Sequence, residues 1–197
     1  MSFRLGLTGS IGMGKSTTAK FFENAGCALW DADAAVHRLY AKDGKAVQQI
    51  RKAFPNVVLN GFVSRDLLKK ELELTSNGFE KLEAIVHPLV AQDRETFINQ
   101  SSADILVFDI PLLFETGGDK FMDAVVCVTV DSTIQKQRVL ARSTMTEKQL
   151  QSILKRQMPI SEKLVKSDYV IETETLEHAE QQVGAVLKDI RENRLNA

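Results

Sequence analysis

The sequence predicts an α/β fold in which a parallel sheet of short buried strands lies between helices. Three observations carry this expectation. Continuous apolar, β-branched runs at 104–109 (DILVFD) and 124–130 (AVVCVTV) have the pattern of strands covered on both faces. Longer amphipathic stretches separate such runs, which is the order of βαβ units. A glycine-rich segment joins the first apolar run to the first helical one.

Taken in order, residues 3–8 read as the first strand and 16–24 as the first helix. Residues 27–31 form a second short apolar run that ends in carboxylates. The stretch 41–100 then breaks the alternation. It holds several charged helical segments and a turn at Asn60-Gly61, with no second pair of buried strands, so it is expected to be a mostly helical lobe inserted between the second and third strands. Within it, His87-Pro88 interrupts a long helical pattern. Proline lacks the N–H that the ladder needs and its ring crowds the preceding turn, so a break or kink is expected there. The third and fourth strands follow at 104–109 and 124–130, and a shorter fifth at 168–171. Helical patterns cover 132–141, 147–157 and 175–194, and the break at Arg142–Met145 is hinge-like. Ser132 with Gln135, Thr146 with Gln149, and Asn77 with Glu80 have capping-box spacing. The chain is expected to be one domain, with a core at 1–40 and 101–197, the insert at about 41–100 and a lid at about 138–160.

Composition narrows the function classes. The 197 residues carry 25 Lys plus Arg against 26 Asp plus Glu, a formal net charge of −1. That balance excludes a basic nucleic-acid coat and an acidic tail, but not a local phosphate site. A chain of this length buries roughly 70% of its unfolded surface and needs no disulfide or metal staple. Cys27 and Cys127, far apart in apolar stretches, read as small buried hydrophobes in a reducing compartment. The opening MSFRLGLTGS lacks the apolar run of a signal peptide, and no stretch approaches the roughly 18–20 apolar residues of a membrane span. The expectation is a cytoplasmic protein without membrane or nucleic-acid partners.

Gly9-Ser10-Ile11-Gly12-Met13-Gly14-Lys15-Ser16, followed by Thr17, fits G-x-x-x-x-G-K-[ST]. Main-chain N–H groups must converge on a phosphate here, which calls for glycines where the backbone is unusual or passes close to the ligand. The helix that follows offers its unpaired N–H groups and positive dipole end to the same anion. Lys15 supplies a mobile charge between β- and γ-phosphates, and the Ser16 hydroxyl can ligate Mg²⁺. The strand before and helix after the motif are the context that makes it specific. The segment binds a nucleoside triphosphate.

Triphosphate binding alone does not select a reaction. Asp31 and Asp33 close the second strand, where parallel sheets place functional residues. Both can be caps and turn formers, or one can cap the next helix while the other orients an acceptor hydroxyl. Asp109 ends the third strand and is the natural carboxylate to hold Mg²⁺ through water. Pro111 stops that strand, and the apolar residues beside it, Leu113 among them, are expected to floor an acceptor pocket, with Glu115 either in that pocket or solvated. Arg138 and Arg142 share one helix face and, with Arg156, flank the hinge-like break. They are either a solvated face or a lid that covers charge on a transferring group. The three histidines are scattered and form no metal cluster, and Trp30 reads as core.

These segments together resemble the dephospho-coenzyme A kinase family: LGLTGSIGMGKST at 5–17, DADAAVH at 31–37, GFVSRDLL at 61–68, AIVHPLV at 84–90, DIPLLFE at 109–115, QRVLARSTMT at 137–146 and SDYVI at 167–171. The resemblance implies transfer of the ATP γ-phosphoryl group to the 3′-hydroxyl of dephospho-CoA with Mg²⁺, on a fold like that of nucleoside monophosphate kinases. It implies that Asp33 faces the acceptor hydroxyl, that Arg142 is the lid arginine on the phosphates and that Thr8 lies beneath the loop. It also makes the insert, with Arg65 and His87, the coenzyme-binding lobe. The oligomeric state expected is a monomer or a weak homo-oligomer. The family usually has glycine at position 10 and a small residue at 13; Ser10 and Met13 are expected to point outward here and leave binding intact. Glu172-Thr173-Glu174 stands where the family often places an asparagine near the adenine. The neighbouring reading is another P-loop kinase of a small metabolite or nucleoside monophosphate, and the reading from a different class is a nucleotide-dependent switch ATPase.

Overall fold

The computed structural model describes residues 2–142 and 145–195. The expected hinge at Arg142–Met145 includes Ser143 and Thr144, which lie outside the described residues. The chain divides into two units, Met1–Trp30 with Ser102–Ala197, and Asp31–Ser101.

The first unit is built on a five-stranded sheet. β1 (Phe3–Gly9), β2 (Ala28–Asp31), β5 (Ile105–Asp109), β6 (Ala124–Thr129) and β7 (Tyr169–Glu172) lie in the order β2-β5-β1-β6-β7. β1 runs parallel to β5 and to β6, and β6 parallel to β7. The β-branched runs form strands because both their faces are covered: every residue of β5 is buried, and so are the first five of β6. Leu7 pairs with Asp109 and Thr8 with Cys127. β5 therefore ends two residues short of β1, and both open at the C-terminal end of the sheet. Helices α1 (Lys15–Asn24) and α9 (Leu176–Asp189) cover one face, with Phe22 and Val183 packed against Leu5, Leu7, Val126 and Val128. Trp30 is core, as expected, with its ring centroid 6.0 Å from that of Phe108. Both cysteines are buried and unbridged. Burial is the main influence on their thiols and pushes each up to about 11.

Local signals set most helix starts, with two corrections. Thr146 and Gln149 form the expected capping box on α7 (Glu147–Leu154). Asp131, not Ser132, caps α6 (Ser132–Ala141), because its carboxylate accepts the Thr133 N–H at 2.7 Å while the Gln135 amide is bound elsewhere. Asn77 takes a left-handed conformation before α5 (Gly78–Gln100) and its side chain caps nothing. α8 (Ile160–Lys166) follows α7, and α9 ends in one wider π turn at Ile190–Arg194.

The second unit is helical around its own core of Leu39, Ile50, Phe54, Val57, Leu68, Leu72 and Val86. It comprises α2 (Ala32–Tyr40), α3 (Val47–Ala53), α4 (Arg65–Leu74) and α5, with a short antiparallel hairpin of β3 (Val58–Leu59) and β4 (Phe62–Val63). Asn60 (φ 49°) and Gly61 (φ 85°) turn that hairpin, both in the left-handed region that a two-residue I′ turn requires. The unit starts at Asp31, earlier than the expected boundary near 41, because α2 packs on α5. Arg38 there donates to both Asp93 carboxylate oxygens, at 2.6 and 3.2 Å. α5 runs unbroken through Pro88, so the expected break does not form. One N–H is lost from the ladder, but contacts with α2, α3 and α4 hold the helix on either side. No helix among the described residues is long and apolar enough to cross a membrane.

Candidate active site

The phosphate loop is shaped by what packs against it. Gly12 (φ 79°) and Gly14 (φ 83°) are both left-handed. A Cβ on Gly12 would sit 2.4 Å from Val139 of α6, and one on Gly14 would sit 2.9 Å from the Thr173 hydroxyl. Only glycine fits at either place, on conformation and on space together. Within the loop, Met13 N–H donates to the Ser10 carbonyl, and Thr17 and Thr18 N–H donate to the Gly14 carbonyl. Ser10 and Met13 are buried, and Met13 belongs to the main core cluster. The expected outward orientation of these two is corrected: the loop lies against α9 and the end of β7, where an apolar side chain gains by burial. Thr173 donates its hydroxyl to the Met13 carbonyl at 2.9 Å.

Lys15 opens α1 and its ammonium pairs with Asp109 at the end of β5. Asp109 is 3% exposed, so this pair keeps a buried carboxylate compensated. Thr8, fully buried, donates to the Pro111 carbonyl at 3.1 Å and so ties the end of β1 to the chain after β5. Ser16 and Thr17 are exposed on the first turn of α1, where the N–H groups ahead of Thr17 lack intrahelical acceptors. Beside this turn is a cavity of about 160 Å³ lined by Gly14, Thr17, Arg138, Thr173 and Leu176, among others. Arg138 donates to the Thr173 hydroxyl (3.1 Å) and to the carbonyls of Thr173 (2.6 Å) and Glu174 (3.1 Å). The sequence paired Arg138 with Arg142 on one face, but the two differ. Arg138 is fixed to the chain after β7, whereas Arg142 ends α6 exposed.

The loop after β5 is held by an ion pair the sequence did not reveal. Lys163 of α8 has no exposed surface; it donates to the Pro111 carbonyl at 3.1 Å and pairs with Glu115 at 2.9 Å. Glu115 also accepts the Met158 N–H at 2.9 Å. Burial pushes the Glu115 carboxyl up, but the hydrogen bonds from Lys163 and Met158 outweigh it and hold the group below its ordinary range. Glu115 is thus neither solvated nor a pocket lining. Leu113, expected at the acceptor floor, is fully buried, and a Cβ on Gly6 would lie 2.7 Å from it. It packs under the sheet rather than on an accessible surface.

In the second unit the two strand-end carboxylates separate. Asp31 caps α2 by accepting the Ala34 N–H at 2.9 Å. Asp33, in the first turn, is exposed and lines an open groove with His37, Arg38 and Arg65. His37 and Arg65 also line an adjoining groove with Tyr40, Lys42 and Phe62. Burial raises the Tyr40 hydroxyl above its ordinary value, and Arg65 partly opposes that. His87 is exposed on α5 and lines neither groove. Among the described residues no three His, Cys, Asp or Glu side chains group as a metal site.

A family model described as dephospho-CoA kinase matches residues 3–178. The chain belongs to the dephospho-CoA kinase family. The dephospho-CoA kinase of Ruegeria pomeroyi is 57% identical over 197 residues, covering 100% of both chains. That of Cereibacter sphaeroides is 48% identical over 190 residues, or 96% of each. Among solved structures, a Thermus thermophilus protein superposes with a TM-score of 0.85 at 29% identity, covering 96% of this chain and 98% of that one. The dephospho-CoA kinase of Campylobacter jejuni superposes at 0.70 with 22% identity over the same shares, a likeness of fold.

Proposed function

We propose that the chain transfers the γ-phosphoryl group of ATP to the 3′-hydroxyl of dephospho-CoA, giving coenzyme A and ADP. The observation that carries this reading is the family match across residues 3–178, which spans the glycine loop, Lys15, Asp109 and Asp33 together. The glycine loop from Gly9, with the first turn of α1 at Lys15, Ser16 and Thr17, supplies N–H groups for the β- and γ-phosphates. Lys15 exchanges part of its contact with Asp109 for the phosphate oxygens, which neutralises charge as the bond to the leaving oxygen lengthens. The base occupies the cavity beside Gly14, between Arg138 and Leu176. Thr8 and Pro111 fix the floor below.

One exposed hydroxyl and one strand-end carboxylate, Ser16 and Asp109, fit Mg²⁺, which takes few protein ligands and completes its shell with phosphate and water. When bound, the ion supplies neutralisation of charge on the phosphate oxygens. Asp33 has no internal partner among the described residues and orients the acceptor hydroxyl; a loose transition state asks for aim more than for a strong base. Arg65 and the groove beside it hold the acceptor, Arg142 covers charge on the transferring group, and His87 is a peripheral member of the acceptor set. The protein works in the cytoplasm as a monomer or weak homo-oligomer, without nucleic acid or membrane.

The test is acceptor dependence. With MgATP, addition of dephospho-CoA is expected to raise ADP release to roughly 1–100 per second. Release indifferent to the acceptor, or faster with a nucleoside monophosphate, overturns the assignment.

A further inference from the structure

Two glutamines of the helical patterns at 132–141 and 147–157 have no part in the nucleotide and acceptor contacts described above. Both reach the same residue of the phosphate loop. Gln135, on α6 and 6% exposed, donates its side-chain amide to the Ile11 carbonyl at 2.7 Å. Gln157, three residues beyond the end of α7, accepts the Ile11 N–H on its side-chain oxygen at 3.3 Å. Ile11 therefore has both main-chain groups bound by side chains that are 124 and 146 residues away in sequence. α6 also touches the next residue, since Gly12 has no room for a Cβ against Val139. The chain just after Gln157 is anchored independently: Met158 N–H goes to Glu115, and Lys163 to Glu115 and Pro111. The Gln157 side chain thus projects from a backbone that is itself tied to the loop after β5.

We propose that Gln135 and Gln157 are positioning residues for the phosphate loop, holding Ile11 so that the N–H groups after it converge on the donor phosphates. The physical need is specific. Three of the eight residues at Gly9–Ser16 are glycines, and glycines raise the entropy of the open loop. Two amide hydrogen bonds at the residue before the tightest turn remove that freedom. They touch no reacting atom, so they act through the loop. This inference rests on the donor half of the kinase reading, but part of its test does not.

The experiment compares Gln157→Leu and Gln157→Glu with the parent chain. Leucine fills similar space and removes the acceptor; glutamate keeps an acceptor oxygen. Gln157 is half-buried, so both variants are expected to fold with unfolding midpoints close to the parent. Amide hydrogen exchange, read by NMR on the protein without substrates, is expected to speed up at Ile11 about tenfold in Gln157→Leu and to stay slow in Gln157→Glu. With MgATP and dephospho-CoA, Gln157→Leu is expected to lower kcat/KM for ATP about tenfold while KM for dephospho-CoA stays within twofold. Gln135→Leu combined with Gln157→Leu is expected to cost less than the product of the single effects, because both act on Ile11.

Unchanged exchange at Ile11 in Gln157→Leu overturns the proposal, and so does accelerated exchange with full activity. If the parent itself shows no dephospho-CoA-dependent ADP release, the substrate reading fails, while the exchange result still decides whether Gln157 holds the loop.

Discussion

The phosphate loop and the helical lobe meet their ligands in different states of preparation. Around the loop, many functional groups are already engaged by the protein, while Ser16 and Thr17 stay exposed. Lys15 sits on Asp109, Ile11 between two glutamines, the Met13 carbonyl on Thr173, and Arg138 on Thr173 and Glu174. In the lobe, Asp33 lines an open groove beside His37 and Arg65 and has no partner among the described residues. The difference matches what each must do. A triphosphate is recognised mainly by main-chain groups, which are useless unless held rigidly. An acceptor hydroxyl is recognised by one side chain that has to be available. On the proposed reading, the first region is built for shape and the second leaves a single carboxylate available.

The severest way to break this comparison is Lys15→Ala. Turnover, measured as dephospho-CoA-dependent ADP formation, is expected to fall about a thousandfold, because charge on the phosphates loses its nearest cation. The unfolding midpoint is expected to fall too, since buried Asp109 is left unpaired. A rate within tenfold of the parent would show that the engagement of Lys15 is only structural. Asp33→Asn is next: kcat is expected to drop about a hundredfold, with ATP affinity by calorimetry and thermal stability both unchanged. Weaker ATP binding at normal rate would remove Asp33 from the acceptor side.

Asp31→Ala sharpens the contrast between two carboxylates only two positions apart. Losing the cap on α2 is expected to cost about 1 kcal/mol, seen as a drop of roughly 2–4 °C in Tm, with a normal rate for the folded fraction. The smallest effect concerns pH. Glu115 titrates below its unfolded value of about 4.3, so its stabilisation is complete above that value. It fades as pH falls through the lowered one. The stability gap between the parent and Glu115→Gln, from chemical unfolding, is therefore expected to be wide at pH 7 and to narrow toward pH 3. A gap that stays constant would mean the carboxylate charge is not what Lys163 and Met158 select.

Local signals explain what was legible in the sequence. The glycine loop, the strand runs and the Asn60-Gly61 hairpin turn are each specified within a few residues, and each forms within one or two residues of its expected place. The cap that Asp31 forms on α2 was also visible, as one of the possibilities for the Asp31–Asp33 pair. What stayed hidden depends on distant partners. Gln157 and Gln135 look like ordinary polar helix residues until the fold brings Ile11 to them, and Lys163 looks solvated until α8 buries it. Met13 was misjudged because loop position says nothing about what packs behind the loop. Pro88 was misjudged because its helix is held by three neighbours, and propensity is weaker than packing.

The two cysteines have a consequence for handling this acceptor. The pantetheine arm of dephospho-CoA ends in a thiol, and such molecules form disulfides readily when oxygen is present. Cys27 and Cys127 are enclosed, with thiols pushed up to about 11, so at neutral pH only about one in ten thousand of them is ionised. An oxidised acceptor therefore finds no nucleophilic sulfur on this chain to attack it, and the catalyst resists being capped by its own substrate.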